Sequence, residues 1–462
     1  MQIKKYIGDR SFYRRVLTVA LPIIVQNGIS NFISLLDNIM VGQVGTVPMS
    51  GVAIVNQLLF VFNLCIFGAV SGAGIFTAQF FGSGNHQGIR HTFRFKVLVS
   101  TILTAVGLAL FLLAGKPLIQ LYLRGEGSPE DAAQTLIYGW DYLMVMLWGL
   151  PAFALSTSYS STLRETGQTT VPMVSGICGV LVNLTLNYIL IFGHFGFPAM
   201  GILGAALATV ISRFVELFVV ATWTHLHSQK NPFIRGVYHS IHIPGKLLVQ
   251  ILIKGIPLLI NEALWASGMA MMNQCFSTRG LDVVAAQNIS STIYNLSSVV
   301  FLSLGNAVGI IIGQMLGSGK SETEVRDADR KLIFTSVVSC LLFGGLMAAL
   351  SGLFPKIYNT TDSVQTLATK FICICAIMMP FNSYTNAAYF TLRSGGKTMV
   401  TFLFDSCYVW VVCVPMAFCL SQFTDLTIIP LYAICQSLDL IKCAIGAFMI
   451  RQGSWIQNLI DK

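Results

Sequence analysis

Charge is scarce in this chain. Only 10% of its 462 residues are Asp, Glu, Lys or Arg, where a water-soluble domain carries roughly 25%. Acids are scarcer than bases: 19 Asp and Glu stand against 28 Lys and Arg, a net charge of +9. So few charges cannot cover the surface of a soluble globule. With 54% hydrophobic residues and a mean hydropathy of +0.72, the chain reads as a polytopic membrane protein whose surroundings are a lipid bilayer. The basic excess does not point to nucleic acid, because Lys and Arg are scattered over short loops and form no patch. No nucleic-acid partner is expected.

Reactive motifs are missing too. There is no HExxH, no GxSxG and no Asp pair at matched span depths, so an intramembrane enzyme lacks its catalytic set. No Walker motif is present, so ATP is not the direct energy source. Cys373 and Cys375 are two apart, too close for a CxxC pair, and Cys65, Cys178, Cys340 and Cys413 sit in apolar runs. The 11 cysteines read as small hydrophobes, not as ligands or disulfides. No metal and no cofactor are expected. Met1 to Arg15 is a polar, basic lead without a cleavage pattern.

What the chain has in abundance is long apolar runs. Twelve are long enough to cross a bilayer, near 16–41, 52–80, 92–114, 134–158, 171–192 and 200–225, then 248–276, 284–315, 331–353, 365–391, 399–420 and 428–450. The segments between them alternate in charge. One side takes 21 of the 28 Lys and Arg: Lys4 to Arg15, Arg90 to Lys96, Arg164, Lys230 to Lys254, Lys320 to Lys331, Arg393 with Lys397, and Arg451 with Lys462. The other side holds Lys116, Arg124, Arg279, Lys356 and Lys370, while Arg213 and Lys442 fall within spans. Positive-inside bias then places both termini in the cytoplasm of a cell inner membrane.

The stretch Leu21 to Gly84 occurs twice. Shifted by 235 it lies without a gap on Ile256 to Gly319: Pro22 meets Pro257, Asn38 meets Asn273, Gly45 meets Gly280, Gln79 meets Gln314, and Gly82-Ser83-Gly84 meets Gly317-Ser318-Gly319. A second block repeats at a shift of 229, where Pro151, Thr162-Leu163-Arg164, Gly167 and Thr169 meet Pro380, Thr391-Leu392-Arg393, Gly396 and Thr398. Two homologous halves of like orientation are expected, with a pseudo-twofold along the membrane normal. The fold class is therefore an all-α membrane protein, with an N-lobe over 1–227, a cytoplasmic linker over 228–247 and a C-lobe over 248–462. In the linker, Phe233, Val237, Ile241 and Ile243 could line a short interfacial helix. His227, His239 and His242 lie in or beside it.

Ionisable groups at the bilayer centre cost about 2.5–3.5 kcal/mol on insertion scales and mark functional sites by default. The first span holds Asp37, followed by Gly42 and Gly45. The fifth holds Asn183 and Asn187, spaced i,i+4 on one helical face. The sixth opens Gly204-Ala205-Ala206-Leu207-Ala208-Thr209, whose small residues permit close approach. A carboxylate, two amides and a hydroxyl are hard oxygens that suit a small cation; the carboxylate could equally carry a proton, and the two amides could serve as interhelical glue. In the second half Met272 stands where the repeat would place Asp37. Its own deep acid is Glu262, aligned with Asn27 and close to Trp265. Glu262 reads as a second proton carrier or as the anion that a cationic substrate meets, or else as a hydrogen bond to a neighbouring helix. Asp405 and Asp439 are further candidates. Asp439 with Lys442, and Arg213 with Glu216, are spaced i,i+3 and read as internally paired charges.

Pro22, the run Asp37-Asn38-Ile39-Met40-Val41-Gly42 with Gly45, Gln79 before Gly82, and Leu163-Arg164 with Gly167 and Thr169 resemble the multidrug and toxic compound extrusion (MATE) family. So do Asn183, Asn187, Gly193, Pro198, Gly201 and Gly204 to Thr209. The resemblance covers nearly the whole chain. It implies two six-helix lobes around a central cleft, and export of organic cations against inward Na+ or H+. A monomer is expected. In one branch of the family the N-lobe site uses a first-span Asp, a fifth-span Asn and Asp, and a sixth-span Thr. Asp37, Asn183 and Thr209 match these, and Asn187 stands where that branch has its second Asp. Glu262 resembles a seventh-span Glu of many members. The expected tenth-span Asp has no clear match; Asn382 or Asn386 is nearest.

Together these readings describe a secondary active antiporter whose ion or proton site is Asp37, Asn183, Asn187 and Thr209, with Glu262 and Trp265 as a substrate or second proton site. Pro22 removes a backbone hydrogen bond and makes the first span deformable. A flippase for a lipid-linked sugar is the alternative within the superfamily, but only Arg213 and Lys442 lie within spans to meet a pyrophosphate. A channel is the reading from another class, and two unlike lobes argue against a symmetric pore.

Overall fold

A bilayer core offers no water, so a crossing segment must satisfy its backbone internally, which favours helices. The structure, a computed structural model, describes residues 5–123, 129–358 and 360–460. Lys4, Arg124 and Lys462, three of the charges assigned to loops above, lie outside the described residues. Among the described residues there is no strand, and twelve helices are long and apolar enough to cross a membrane. They are α1 (Arg10–Gly42), α2 (Thr46–Gly82), α3 (His86–Tyr122), α4 (Pro129–Glu165), α5 (Thr170–Phe192) and α6 (Ile202–Leu226). The second set is α7 (Gly245–Ser277), α8 (Leu281–Gly317), α9 (Glu322–Leu350), α10 (Asp362–Ser394), α11 (Thr398–Phe423) and α12 (Ile428–Gln452). Each corresponds to one expected span, and most extend beyond the roughly 20 residues that cross the hydrocarbon.

Local chemistry sets the ends. Ser321 caps α9 in a reciprocal capping box with Glu324, and the Thr361 hydroxyl accepts the Val364 N–H at the start of α10. The repeat is visible in the backbone: Gly45 and Gly280 turn at φ +133° and +120°, Gly84 and Gly319 at +73° and +68°, and Gly167 and Gly396 at +80° and +73°. These conformations are hard for side chains with a Cβ, so the glycines hold equivalent turns in both halves. α4 tightens into a 3₁₀ turn at Leu147–Gly149, and α11 widens into π-helical turns at Leu403–Cys407 and Val409–Cys413.

The chain forms two compact units. One comprises Met1–Ile24, Ala78–Asn85 and Leu252–Lys462; the other comprises Val25–Thr77 and His86–Ile251. In the first, a cluster of Phe276, Phe371, Tyr408, Tyr432 and their neighbours fills the interior. In the second, Val55, Ile66, Phe111, Leu143 and Ala206 belong to the corresponding core. Phe62 is part of that core and packs against Gly107. Within the first unit, the ends of α2 and α8 cross where a repeated glycine removes the side chain. A Cβ on Gly82 would meet the Gln314 carbonyl at 1.9 Å, and one on Gly317 would meet the Gln79 carbonyl at 1.9 Å. Both pairs are related by the 235-residue shift, so the contact is reciprocal.

The linker does not form the expected interfacial helix. Pro232, Gly236 at φ +68° and Pro244 interrupt it, leaving two 3₁₀ turns at Pro232–Ile234 and Val237–His239. Phe233 and Val237 are buried against the unit and Ile241 is exposed. Arg90 donates to the Phe233 carbonyl (3.2 Å), and Arg94 to those of Val237 (2.8 Å), Gly236 (3.1 Å) and His242 (3.1 Å). Basic residues read as loop charges thus also pin the linker. All eleven cysteines are free thiols.

Candidate functional site

Asp37 lies on α1, fifteen residues past Pro22, in the unit formed by Val25–Thr77 and His86–Ile251. Asn183 and Asn187 are one turn apart on α5, and Thr209 is on α6. The structure joins the four in a chain of hydrogen bonds. Asn187 Nδ2 donates to Asp37 Oδ1 and to Asn183 Oδ1 (3.1 Å); Asn183 Nδ2 donates to Thr209 Oγ1 (3.1 Å); Thr209 Oγ1 donates to the Ala205 carbonyl (3.0 Å). Close approach is built in: a Cβ on Gly204 would meet the Leu190 backbone at 2.7 Å, so α5 and α6 touch through their main chains.

The Asn187 side chain is fully buried, with its amide nitrogen committed to two partners and its amide oxygen to none among the described residues. A buried orphan acceptor costs about 1–3 kcal/mol. Asp37 keeps neutral partners in this network, so its charge is not cancelled by a bonded base. A groove of about 510 Å³ on α1 and α5, lined by Met40, Leu184, Tyr188, Phe192 and others, contains none of these four residues.

The remaining candidates are dispersed. Pro22 lies in the interior of α1, where its ring leaves the helix one N–H short. Glu262 is half-buried on α7, and Trp265, one turn on, is exposed. The polar contacts at this level belong to Asn261 instead. Asn261 Nδ2 donates to Asp405 Oδ2 (3.1 Å), while its own oxygen accepts Ser406 N (3.3 Å) and Oγ (2.7 Å). Lys442 does not pair with Asp439 as the i,i+3 spacing suggests. It reaches across to Asp405 on α11 (Nζ to Oδ1, 2.5 Å), within the π-helical turn over Leu403–Cys407. Arg213 does pair with Glu216 (3.2 Å). Asn382 donates to the Tyr294 hydroxyl (3.1 Å).

Two buried charges were not visible in the pattern. Lys96, assigned to a loop by sequence, is fully buried; it is ion-paired to Glu165 and donates to Ser161 (3.0 Å) and Thr162 (3.2 Å). Asp329 is buried and accepts from Thr391 (2.5 Å). Thr162 and Thr391 are repeat equivalents, so one scaffold position serves a cation in one half and an anion in the other. The threonine identity was the available signal.

These features can be set beside known proteins. The MatE family model matches residues 22–189 and 257–419, one match in each half. The probable multidrug resistance protein NorM of Thermotoga maritima is 27% identical over 423 residues, covering 89% of this chain and 86% of its own. The probable multidrug resistance protein YoeA of Bacillus subtilis is 26% identical, covering 91% and 89%. Among solved structures, an outward-facing multidrug resistance MATE family transporter of the MOP superfamily superposes with a TM-score of 0.84 at 16% identity, covering 98% of both chains. A MOP superfamily transporter from Pyrococcus furiosus, described as having a binding pocket of reverse polarity, gives a TM-score of 0.80 at 17% identity, again over 98% of both. With a match in each half and curated relatives along nine-tenths of its length, the chain belongs to the MATE family of multidrug efflux transporters.

Proposed function

We propose that the protein is a secondary active antiporter of the inner membrane, exporting organic cations in exchange for H+ or Na+ taken up at Asp37. The observation that carries this reading is the buried, unpartnered oxygen of Asn187 beside the Asp37 carboxylate. An ionised Asp37 accepts from the Asn187 amide nitrogen. A protonated Asp37 becomes a donor, and the Asn187 oxygen is the acceptor within reach after a turn of the amide. Such a turn breaks the bond to Asn183 and, through it, the bond to Thr209. Charge on α1 is thereby linked to the packing of α5 and α6. A small cation would be met instead by a carboxylate oxygen, the Asn187 oxygen and the Thr209 hydroxyl, a hard donor set. Pro22, with its missing backbone bond, gives α1 a place to bend as the site fills.

The flippase alternative needs cations able to meet a pyrophosphate. Arg213 is paired to Glu216 and Lys442 to Asp405, which weighs against it. The test is efflux of a fluorescent organic cation in inverted vesicles, with H+ and Na+ gradients imposed separately. Asp37→Asn keeps hydrogen bonding but cannot change charge, and it is expected to abolish coupled efflux while inserting normally. Near-normal efflux by this variant would refute the assignment, and flux that needs no gradient would point to a channel.

A further inference from the structure

The sixth helix of each half carries one ionic couple, and the two couples are used differently. α6 and α12 are both 25 residues long. Counted from their first residues, Arg213 and Glu216 fall on Asp439 and Lys442, so the order of sign is reversed. In α6 the couple closes on its own helix. In α12 Lys442 instead bonds Asp405 Oδ1 (2.5 Å) and lies over the Phe404 ring (5.3 Å to the centroid). The second Asp405 oxygen accepts from Asn261, whose oxygen in turn accepts twice from Ser406. The π-helical turn over Leu403–Cys407 brings consecutive residues 405 and 406 to the same asparagine. Lys442 and Asn261 are both buried.

Asp405 therefore has one strong donor on each oxygen and a full positive charge at bonding distance. Asp37 has a neutral donor, the Asn187 amide, and an unpartnered amide oxygen beside it among the described residues. Other ionisable groups facing the Asp405 site are Glu262, next to Asn261 on α7; Asp439, one turn before Lys442 on α12; Tyr389 and Arg393 on α10; and the thiols of Cys413 and Cys443. Among the described residues, Lys442 is the only base within ion-pair distance of Asp405.

We infer that Lys442 is a resident counter-ion: it fills at Asp405 the place that a proton or transported cation takes at Asp37, and so withholds the C-terminal carboxylate from ion coupling. Lys442 is then a specificity-determining residue, because it keeps the Asp405 carboxylate out of ion exchange. This inference rests on the reading of Asp37 given above.

The experiment compares wild type, Lys442→Gln, the double variant Lys442→Gln with Asp405→Asn, and Asp37→Asn, all full-length in proteoliposomes. Lys442→Gln leaves Asp405 charged without its base. Its thermal unfolding midpoint should gain a saturable Na+ or H+ dependence absent from the double variant, since a ligand that binds only the folded state raises its stability. The double variant keeps an N–H to oxygen hydrogen bond without charge, and neutral replacement of a buried ion pair is often tolerated, so efflux should stay within about threefold of wild type. A folded double variant that has lost efflux about tenfold or more would overturn the inference, for the pair would then take part in the cycle. A folded Lys442→Gln protein with the wild-type ion profile would overturn it too. Should Lys442→Gln not fold, the double variant alone decides. Asp37→Asn keeps the two failures apart: if it still couples, the reading of Asp37 falls whatever Lys442 does.

Discussion

Gln79 holds the C-terminal segment, and removing its amide should release it. The side chain is fully buried. Its Nε2 donates to the carbonyls of Ser394 (3.0 Å) and Gln457 (3.2 Å), and its Oε1 accepts the N–H of Leu459 (2.8 Å). All four residues belong to one compact unit. The segment after α12 is also seated by packing: Trp455 is fully buried, and a Cβ on Gly395 would strike the Trp455 carbonyl at 1.6 Å. Gln79→Leu conserves size and deletes the three bonds. At about 1 kcal/mol net for each, roughly 3 kcal/mol is lost. If the segment opens locally, its open population rises by about two orders of magnitude. Amide hydrogen exchange at Leu459 reads this directly, since that N–H is the one Gln79 accepts. Protection there should fall by about a hundredfold, while Asp329-bonded Thr391 in α10 stays protected. Gln314→Leu is the control. Gln314 is the repeat equivalent, but its oxygen accepts from Arg15 Nη2 (3.1 Å), so Leu459 should be unaffected. Unchanged protection at Leu459 in Gln79→Leu, or equal loss in both variants, would refute the reasoning.

The Asn187 position offers a second test. Asn187→Asp puts two carboxylates within hydrogen-bond reach, a repulsion of about 5 kcal/mol at an effective dielectric near 20, which a shared proton or bridging cation relieves. Efflux by this variant should gain a steeper Na+ dependence or shift along the pH axis; an unchanged profile for both ions would remove Asn187 from the site. Glu262 separates charge from structure: Glu262→Gln should impair export of cationic substrates at normal expression, and Glu262→Ala should lose export with some stability as well. If Gln behaves like wild type and only Ala is defective in a growth-inhibition assay, the residue is structural.

Much of the hydrogen-bonded cluster around Asp37 was legible in the sequence. Asn183 and Asn187 are spaced to share a helical face, and Asp37 is the ionisable residue inside its span. Thr209 follows the small-residue run that lets α6 approach α5. The C-terminal charges were not legible in the same way. The i,i+3 rule links Asp439 to Lys442, yet the bond goes to Asp405, 37 positions away. Lys96 looked like a loop charge because its partner Glu165 is 69 positions distant. The linker pattern of Phe233 and Val237 suggested a helix, and Pro232, Gly236 and Pro244 prevent one.

The sequence by itself determined the solvent, the twelve crossings, the duplication and the glycines that recur in both halves. These depend on composition, length and local stereochemistry, which neighbours in sequence carry. Only the tertiary structure decided which charges meet. A buried Lys or Asp needs a partner, but any helix packed against its own can supply one, and sequence distance carries no such information. It also decided that Asn187 should be left with an unsatisfied oxygen beside Asp37. That is a property of three helices packed together, and no single segment encodes it.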